Sequence, residues 1–189
     1  MLLISKKIVF GLTSSQYAFK KTIPQISKLI SEGATIFPIM SYDAYNMDTK
    51  YGKAKDFINE IENITLKKVI RNNGEIDSLE DIDIMIICPC SGNTISKLSN
   101  NIMDTPLLKI TRRVLQEDKN VVLGIATSDG LSNNAENIGR LLNKKNIFFV
   151  PFRQNNPITK PNSLVFDPNY ILTTILHALN KEQVQPILL

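Results

Sequence analysis

The sequence has few of the residues that build metal sites and disulfide frameworks. Its only histidine is His177, and its only cysteines are Cys88 and Cys90. Cysteines so close together cannot join distant segments, which indicates a reducing compartment. A single histidine without a second cluster of ligands argues against a metal site. We therefore expect no bound metal.

Long apolar runs are also missing. No stretch reaches the roughly 18 consecutive apolar residues of a membrane-spanning helix. The first residues, MLLISKK, are too short for a signal peptide and lead directly into a predicted strand. The sequence therefore predicts a cytoplasmic protein that does not enter a membrane.

Charge of one sign is not concentrated anywhere in the chain. The net charge is +4, and lysine and arginine are spread along the 189 residues rather than grouped. Diffuse charge of this kind indicates a solvated surface and argues against a nucleic-acid partner. The length and the 43% hydrophobic content fit one domain, residues 1–189, with a substantial core.

Apolar runs of strand length alternate with segments of helical periodicity. This alternation predicts an α/β fold: a Rossmann-like, doubly wound parallel sheet with helices on both faces. The G-x-G-x-x-G fingerprint of an ordinary dinucleotide loop is absent. The predicted strands are Ile8–Leu12, Ala34–Met40, Ile84–Cys88, Val121–Ala126 and Ile147–Val150.

Prolines mark several predicted boundaries. Pro89 is expected to end the central strand, and Pro24 to kink or restart the first helix. Thr105 is expected to cap a helix that begins at Pro106. We predict loops over residues 42–50 and over the proline-marked segment between residues 151 and 168.

Small polar residues follow four of the predicted strands. They are Thr13-Ser14-Ser15, Ser41, Ser91-Gly92-Asn93-Thr94 and Thr127-Ser128-Asp129. Ligands of open α/β sheets bind outside the carboxyl ends of the strands, so four such turns predict a nucleotide-like or flavin-like ligand. Any one of them is equally consistent with an ordinary strand-to-helix turn that caps a helix.

One motif carries a family resemblance. Residues 89–94, Lys97-Leu98, Asp104 and Leu107-Leu108 resemble the P-x-S-x-N-T…K…D-x-L-L signature of flavoproteins related to the flavin-containing cysteine decarboxylases. Further stretches resemble the B-subunit family of the dipicolinate synthases. These stretches are Met47–Ala54, Asn137–Leu141, Asn146–Phe152 and Lys160–Val165.

The resemblance implies a flavoprotein-type fold assembled as trimers or multiples of trimers, with FMN bound where subunits meet. It also implies a partner A subunit that binds NAD(P). Together the two subunits would oxidise a hydroxylated tetrahydrodipicolinate to dipicolinate, in the mother cell of a sporulating bacterium. The cofactor-binding residues implied are Thr13, Ser14, Ser15, Ser41, Ser91, Gly92, Asn93, Thr94, Ala126, Thr127 and Ser128.

Two positions depart from the family pattern. The first turn continues to Gln16, where the B subunits usually have glycine, serine and then histidine. The catalytic histidine of the decarboxylase branch has no counterpart, so no catalytic residue is assigned. Two alternatives therefore stay open: a stand-alone FMN-dependent decarboxylase or flavin prenyltransferase, and a non-catalytic scaffold for the A subunit.

A small dicarboxylate substrate needs cationic partners. Lys50 and Arg140 are our candidates. Asn155, Lys160 and Asn162 lie in the segment predicted as a long loop, and such loops often carry function. These three residues are expected to close over the site or to contact the partner. Cys90 and Asp104 are expected mainly to have packing and capping roles.

Overall fold

A computed structural model describes residues 1–189 and contains a seven-stranded sheet flanked by helices. The strands are β1 (Lys7–Leu12), β2 (Thr35–Met40), β3 (Ile84–Cys90), β4 (Asn120–Thr127), β5 (Ile147–Phe149), β6 (Phe152–Asn156) and β7 (Lys160–Phe166). The helices are α1 (Phe19–Ser31), α2 (Tyr42–Asn46), α3 (Ala54–Thr65), α4 (Asn73–Asp77), α5 (Gly92–Ser99), α6 (Pro106–Gln116), α7 (Ala135–Leu142) and α8 (Ile171–Leu179).

The first five strands are parallel and lie in the order β2-β1-β3-β4-β5. β3 and β4 are the central strands, and every residue of both is buried, as the apolar runs Ile84–Cys88 and Val121–Ala126 predict. The strand order reverses between β1 and β3. This reversal is the switch point at which such sheets open a crevice for a ligand.

Helices cover both faces of the sheet. On one face, α1 and α3 pack residues such as Phe19 and Ile61 beside β2, and α8 packs residues such as Ile175 beside β4. On the other face, α5, α6 and α7 contribute the residues Ile95, Ile110 and Leu141 among others. The predicted doubly wound α/β fold is confirmed. None of the helices has the combination of length and apolar character needed to cross a bilayer.

The proline-marked segment is not a loop, and that prediction is wrong. Residues 152–166 form the antiparallel hairpin of β6 and β7, and Ala126 at the carboxyl end of β4 pairs with Val165 of β7. The sheet is therefore mixed. At the tip of the hairpin, the Asn156 side chain accepts hydrogen bonds from the backbone N–H groups of Ile158 and Thr159. This closes the turn around Pro157.

Pro89 does not end β3, which continues to Cys90. The pairing of β3 with β4 shifts register between Ile87 and Cys90, so the proline lies where the ladder is interrupted and its missing N–H group costs no bond. The Pro89 carbonyl still accepts from the Thr13 N–H group at 3.2 Å.

Helices α1, α2 and α6 can be compared with the boundaries predicted from the sequence. α1 continues through Pro24 without restarting. Residues 42–46 form the short helix α2, since the Ser41 hydroxyl caps it by accepting from the Ala44 N–H group at 3.4 Å. The predicted start of α6 is confirmed: Pro106 is its first residue and Thr105 caps it through the Leu108 N–H group.

Leu66 ends α3 in an unfavourable backbone conformation. Its φ is +54° and its side chain is 88% exposed, so it combines a left-handed backbone with no burial. A left-handed conformation costs roughly 1–2 kcal/mol for most residues, and asparagine tolerates it better. We expect Leu66→Asn to raise the free energy of unfolding by about 0.5–1 kcal/mol, measured by denaturant titration.

Leu131→Asn is the matched control for this change. Leu131 is also an exposed leucine, but its φ is not positive. The explanation from backbone strain fails if both variants change stability equally, because exposure would then be the common cause.

Candidate functional site

The turn after β1 joins three strands. The Thr13 hydroxyl donates to the Pro89 carbonyl at 2.8 Å and accepts from the Ser91 N–H group at 2.8 Å. The Ser15 hydroxyl donates to the Ala126 carbonyl at 2.6 Å. Thr13 and Ser15 therefore use their hydroxyls to hold β1, β3 and β4 together. Ser14, which lies between them, is exposed and makes no side-chain hydrogen bond within the chain.

The first cavity, which we call the serine cavity, has a volume of about 140 Å³ and opens at the switch point. It brings together residues that are far apart in the chain, five of them predicted to bind the cofactor. Its lining is Ser14, Ser41, Tyr42, Asp43, Ser91, Asn93, Thr94, Lys97, Thr105, Leu107 and Leu108.

Helix α5 begins at the serine cavity with unused hydrogen-bond donors. Ser91 occupies its N-cap position but makes no capping hydrogen bond, and the Ser91 hydroxyl pairs instead with the Thr94 hydroxyl at 3.2 Å. The first-turn N–H groups therefore have no side-chain acceptor. The exposed Asn93 amide also has no partner in the chain. These groups favour an anion or a polar ligand edge.

Lys97 and Asp104 form an ion pair at the rim of the serine cavity, with 2.7 Å between the ammonium nitrogen and the carboxylate oxygen. The hydrogen bond from Lys97 lowers the pKa of the Asp104 carboxyl. Asp104 therefore stays ionised near neutral pH. It holds Lys97, and the capping of α6 is left to Thr105.

The fourth predicted turn forms a hydrogen-bonded cluster behind α5. The Thr127 hydroxyl donates to the Asp129 carboxylate, and the Asn134 amide donates to both Asp129 oxygens at 3.0 Å. A Cβ on Gly92 would lie 2.5 Å from the Thr127 oxygen and 2.7 Å from the Asn134 nitrogen. Gly92 therefore lets α5 start directly against this cluster.

A second cavity, which we call the tyrosine cavity, has a volume of about 330 Å³. The β6–β7 hairpin forms most of its wall. The rings of Tyr17 and Tyr51 lie 6.1 Å apart between centroids. The remaining lining residues are Ser128, Asn155, Lys160, Pro161, Asn162 and Ser163.

The environment of Tyr17 raises the pKa of its phenol. Burial, followed by the neighbouring Tyr51, raises the pKa of the Tyr17 phenol above its usual value. The Tyr17 hydroxyl therefore remains a hydrogen-bond donor across the physiological pH range. Neither tyrosine was predicted from the sequence to be a site residue, although Tyr51 lies inside the stretch Met47–Ala54 that carries part of the resemblance.

The predicted site residues thus divide into three groups. Ser14, Ser41, Ser91, Asn93 and Thr94 line the serine cavity, and Ser128 lines the tyrosine cavity. A second group supports the walls through packing and hydrogen bonds between strands: Thr13, Ser15, Gly92, Ala126 and Thr127.

The two predicted substrate cations form the third group and lie apart from each other. The Lys50 ammonium is 5.3 Å from the centroid of the Tyr51 ring, next to the tyrosine cavity. Arg140 lies on α7, where it pairs with Glu136 and donates to the Asn100 side-chain carbonyl at 3.1 Å. Arg140 lines neither cavity.

Gln16, the residue at which the first turn departs from the resemblance, is buried. Its amide nitrogen donates to the Met47 carbonyl at 2.8 Å, whereas its side-chain oxygen has no donor within the chain. A buried acceptor of this kind calls for a donor from water or a ligand. Both cysteine thiols are also buried, which raises their pKa values and gives them a packing role.

Comparisons with known proteins agree with this architecture. The family model described as Flavoprotein matches residues 3–175. The dipicolinate synthase B subunit of Bacillus subtilis (strain 168) is 38% identical over 97% of this chain and 93% of its own length.

Solved structures give the same result at two levels of similarity. The crystal structure of the dipicolinate synthase B subunit from Bacillus halodurans C superposes with a TM-score of 0.91 at 37% identity, covering 100% of this chain and 98% of that one. A dodecameric FMN-dependent Ubix-like decarboxylase from Escherichia coli O157:H7 shares the fold, with a TM-score of 0.60 at 21% identity over 77% of this chain and 79% of that one. The chain belongs to the flavoprotein family and is a homologue of the dipicolinate synthase B subunits.

Proposed function

We propose that the chain is the flavin-binding B subunit of a dipicolinate synthase. With an NAD(P)-binding A subunit, it forms dipicolinate from hydroxy-tetrahydrodipicolinate in the cytoplasm of the mother cell during sporulation. The overall reaction loses one water and transfers one hydride with release of one proton. The observation that carries the proposal is the serine cavity, where the unpartnered Ser14 hydroxyl meets the free donors at the start of α5 at the switch point.

The donor set of the serine cavity fits FMN. The Ser14 hydroxyl, the Asn93 amide and the first N–H groups of α5 are available for a phosphate or a ribityl chain, and all are uncharged. Such groups bind a phosphate without a cation that must itself be desolvated. Bound flavin supplies hydride transfer.

The size of the serine cavity supports an oligomeric arrangement. Its volume of about 140 Å³ is well below the ~300–1,000 Å³ of pockets that enclose whole ligands. The cavity therefore suits the polar end of FMN, and the ring system would need a second surface. A homo-oligomer, a trimer or a multiple of trimers, would provide one.

The residues of this chain supply little acid–base chemistry at the serine cavity. His177 lies on α8, with its ring nitrogen 3.6 Å from a Glu182 oxygen, and it lines neither cavity. Asp43 and Lys97 are the titratable groups of the lining besides Tyr42, and Lys97 is held by Asp104. This favours a subunit that binds and orients, with the redox step carried by flavin or by nicotinamide of the partner.

A scaffold without a cofactor is the second candidate function. It is favoured by Thr13 and Ser15, because two of the three hydroxyls of the first turn are already used between strands. It is also favoured by Gln16 in place of the family histidine. In this case the chain would stabilise its A subunit and contribute no redox group.

An FMN titration of the purified chain distinguishes the flavin-binding subunit from the scaffold without a cofactor. We expect the visible absorption band of oxidised flavin to be retained after desalting. Ser14→Ala and Asn93→Ala should each weaken FMN binding about tenfold or more, because a hydrogen bond to a charged group contributes roughly 1.5–3 kcal/mol. Ser31→Ala, at the far end of α1, is the matched control and should bind like the wild type.

Two results would count against the proposal. Failure of the wild-type chain to retain FMN after reconstitution would favour the scaffold. Formation of dipicolinate by the chain alone, without an A subunit, would contradict the two-subunit assignment.

A further inference from the structure

Three asparagine side chains, which we call the asparagine chain, connect Arg140 on the surface of α7 to Asp129 behind α5. The Arg140 guanidinium donates to the Asn100 oxygen at 3.1 Å, and the Asn100 amide donates to the Asn137 oxygen at 3.3 Å. Asn137 donates to the Asn134 oxygen at 3.1 Å, and Asn134 donates to both Asp129 oxygens at 3.0 Å. Every link therefore donates towards the interior of the protein.

The two ends of the asparagine chain fix its direction. A guanidinium carries only donors and a carboxylate only acceptors. The amides between them satisfy both ends only when each oxygen faces Arg140 and each nitrogen faces Asp129. Reversing one amide would place two acceptors or two donors against each other. Hydrogen bonds in such a series polarise one another, so the loss of one link weakens the rest.

The asparagine chain contacts α5 at both ends of the helix. At the first turn, a Cβ on Gly92 would lie 2.7 Å from the Asn134 nitrogen and 2.9 Å from an Asp129 oxygen. At the last turn, the Ser99 hydroxyl donates to the Asn137 oxygen. The asparagine chain therefore limits how far α5 can shift or rotate. The free N–H groups of the serine cavity belong to the first turn of this helix.

Arg140 makes a second contact, which stays within α7. Its guanidinium pairs with Glu136 one turn earlier, and the two side chains are 51% and 74% exposed. An exposed ion pair of this spacing contributes little to stability. Only the bond from Arg140 to Asn100 crosses to α5, so it is the contact through which Arg140 can act on the serine cavity.

We propose that Arg140 is a positioning residue of the serine cavity. Acting through the asparagine chain, it orients the Asp129 carboxylate and holds the first turn of α5 where its N–H groups and Asn93 face the cavity. The inference rests on the proposed function for the identity of the ligand, FMN. It gives Arg140 a role other than binding a substrate carboxylate.

Two measurements on the full chain test the inference: FMN titration, and hydrogen–deuterium exchange of α5 without FMN. Arg140→Leu removes the outer donor, and Asn137→Asp replaces an inner donor by an acceptor of the same shape. We expect each change to weaken FMN binding about tenfold and to accelerate exchange in α5. The double variant should lose little more than either single variant, because both break the same series. Arg140→Lys, which keeps the charge and a donor, should restore most of the binding.

Three matched controls should behave like the wild type. Glu136→Gln removes the ion pair within α7 and leaves the asparagine chain intact. Asn133→Asp introduces the same charge as Asn137→Asp at an exposed position nearby. Arg112→Leu makes the Arg140→Leu substitution at an exposed arginine of α6.

Several results would overturn the inference. They are wild-type FMN affinity in Arg140→Leu, weaker binding without faster exchange in α5, additive losses in the double variant, and an equal effect of Glu136→Gln. Faster exchange throughout the protein with a lower melting temperature would show a general structural role instead. If the wild-type chain binds no FMN, the proposed function fails, while the exchange measurement still decides whether Arg140 positions α5.

Discussion

Gly124→Ala is expected to destabilise the fold by about 2–3 kcal/mol, in the upper range for overpacked cores. Gly124 lies in β4, and a Cβ there would overlap the Cys88 sulfur and lie 3.1 Å from the Cys88 Cβ and 3.3 Å from the Phe166 ring. All three groups are buried, so none can move towards solvent. The added methyl group must therefore separate β3 from β4 or displace β7.

The measurement is thermal unfolding of the purified variant. A protein of this size loses about 2–4 °C per kcal/mol, so we expect the melting temperature to fall by roughly 4–12 °C. Gly139→Ala is the control, because a Cβ at Gly139 in α7 meets no atom within 4 Å. That change should be neutral or stabilising by up to about 1 kcal/mol.

A double variant tests the cause. If crowding against the sulfur is responsible, Cys88→Ala should cost less in the Gly124→Ala background than in the wild type. Equal costs in both backgrounds would show that the sulfur is not the group that the new methyl displaces.

Gly92→Ala is expected to weaken FMN binding more than tenfold, with a smaller loss of stability of about 1–2 kcal/mol. The new Cβ would lie within 2.9 Å of three polar atoms, on Thr127, Asn134 and Asp129. These side chains are hydrogen-bonded to one another, so none of them can move away without breaking a hydrogen bond. The first turn of α5 must shift instead, and with it the N–H groups and Asn93 at the serine cavity.

FMN titration and thermal unfolding of the same preparation separate binding from folding. Gly74→Ala is the control, since its Cβ would meet an asparagine oxygen at an ordinary 3.5 Å in the exposed helix α4. A Gly92→Ala protein that binds FMN like the wild type would show that the position of α5 is not critical for the cofactor.

The parallel part of the fold can be predicted from the sequence because its buried strands are visible as runs of apolar residues. β3 is apolar along its whole length and β4 is apolar between Val121 and Ala126, as is typical of strands buried on both faces. The β6–β7 hairpin contains no such apolar run. Four of the five residues of β6 are exposed, and β7 contains Pro161. It forms because β7 pairs with the carboxyl end of β4, a contact that no local pattern reveals.

Three of the four polar turns meet at the serine cavity, as their positions at the strand ends predict, whereas the role of each hydroxyl could not be predicted. Thr13 and Ser15 bond to carbonyls 76 and 111 residues away, so only the folded chain shows that Ser14 is the free one. The tyrosine cavity was missed for a related reason. Tyr17 and Tyr51 come from segments that local periodicity does not connect, and they meet only through packing.

The two buried thiols have a practical consequence for spectroscopy. Cys88 and Cys90 are fully buried, and burial raises both pKa values, so the thiolate that reacts with maleimides is scarce at neutral pH. The two native cysteines are therefore expected to react little with maleimides, and they need not be replaced before labelling. A single cysteine introduced at the tip of the β6–β7 hairpin, at the exposed Ile158, would accept a fluorophore or spin label selectively and report hairpin movement.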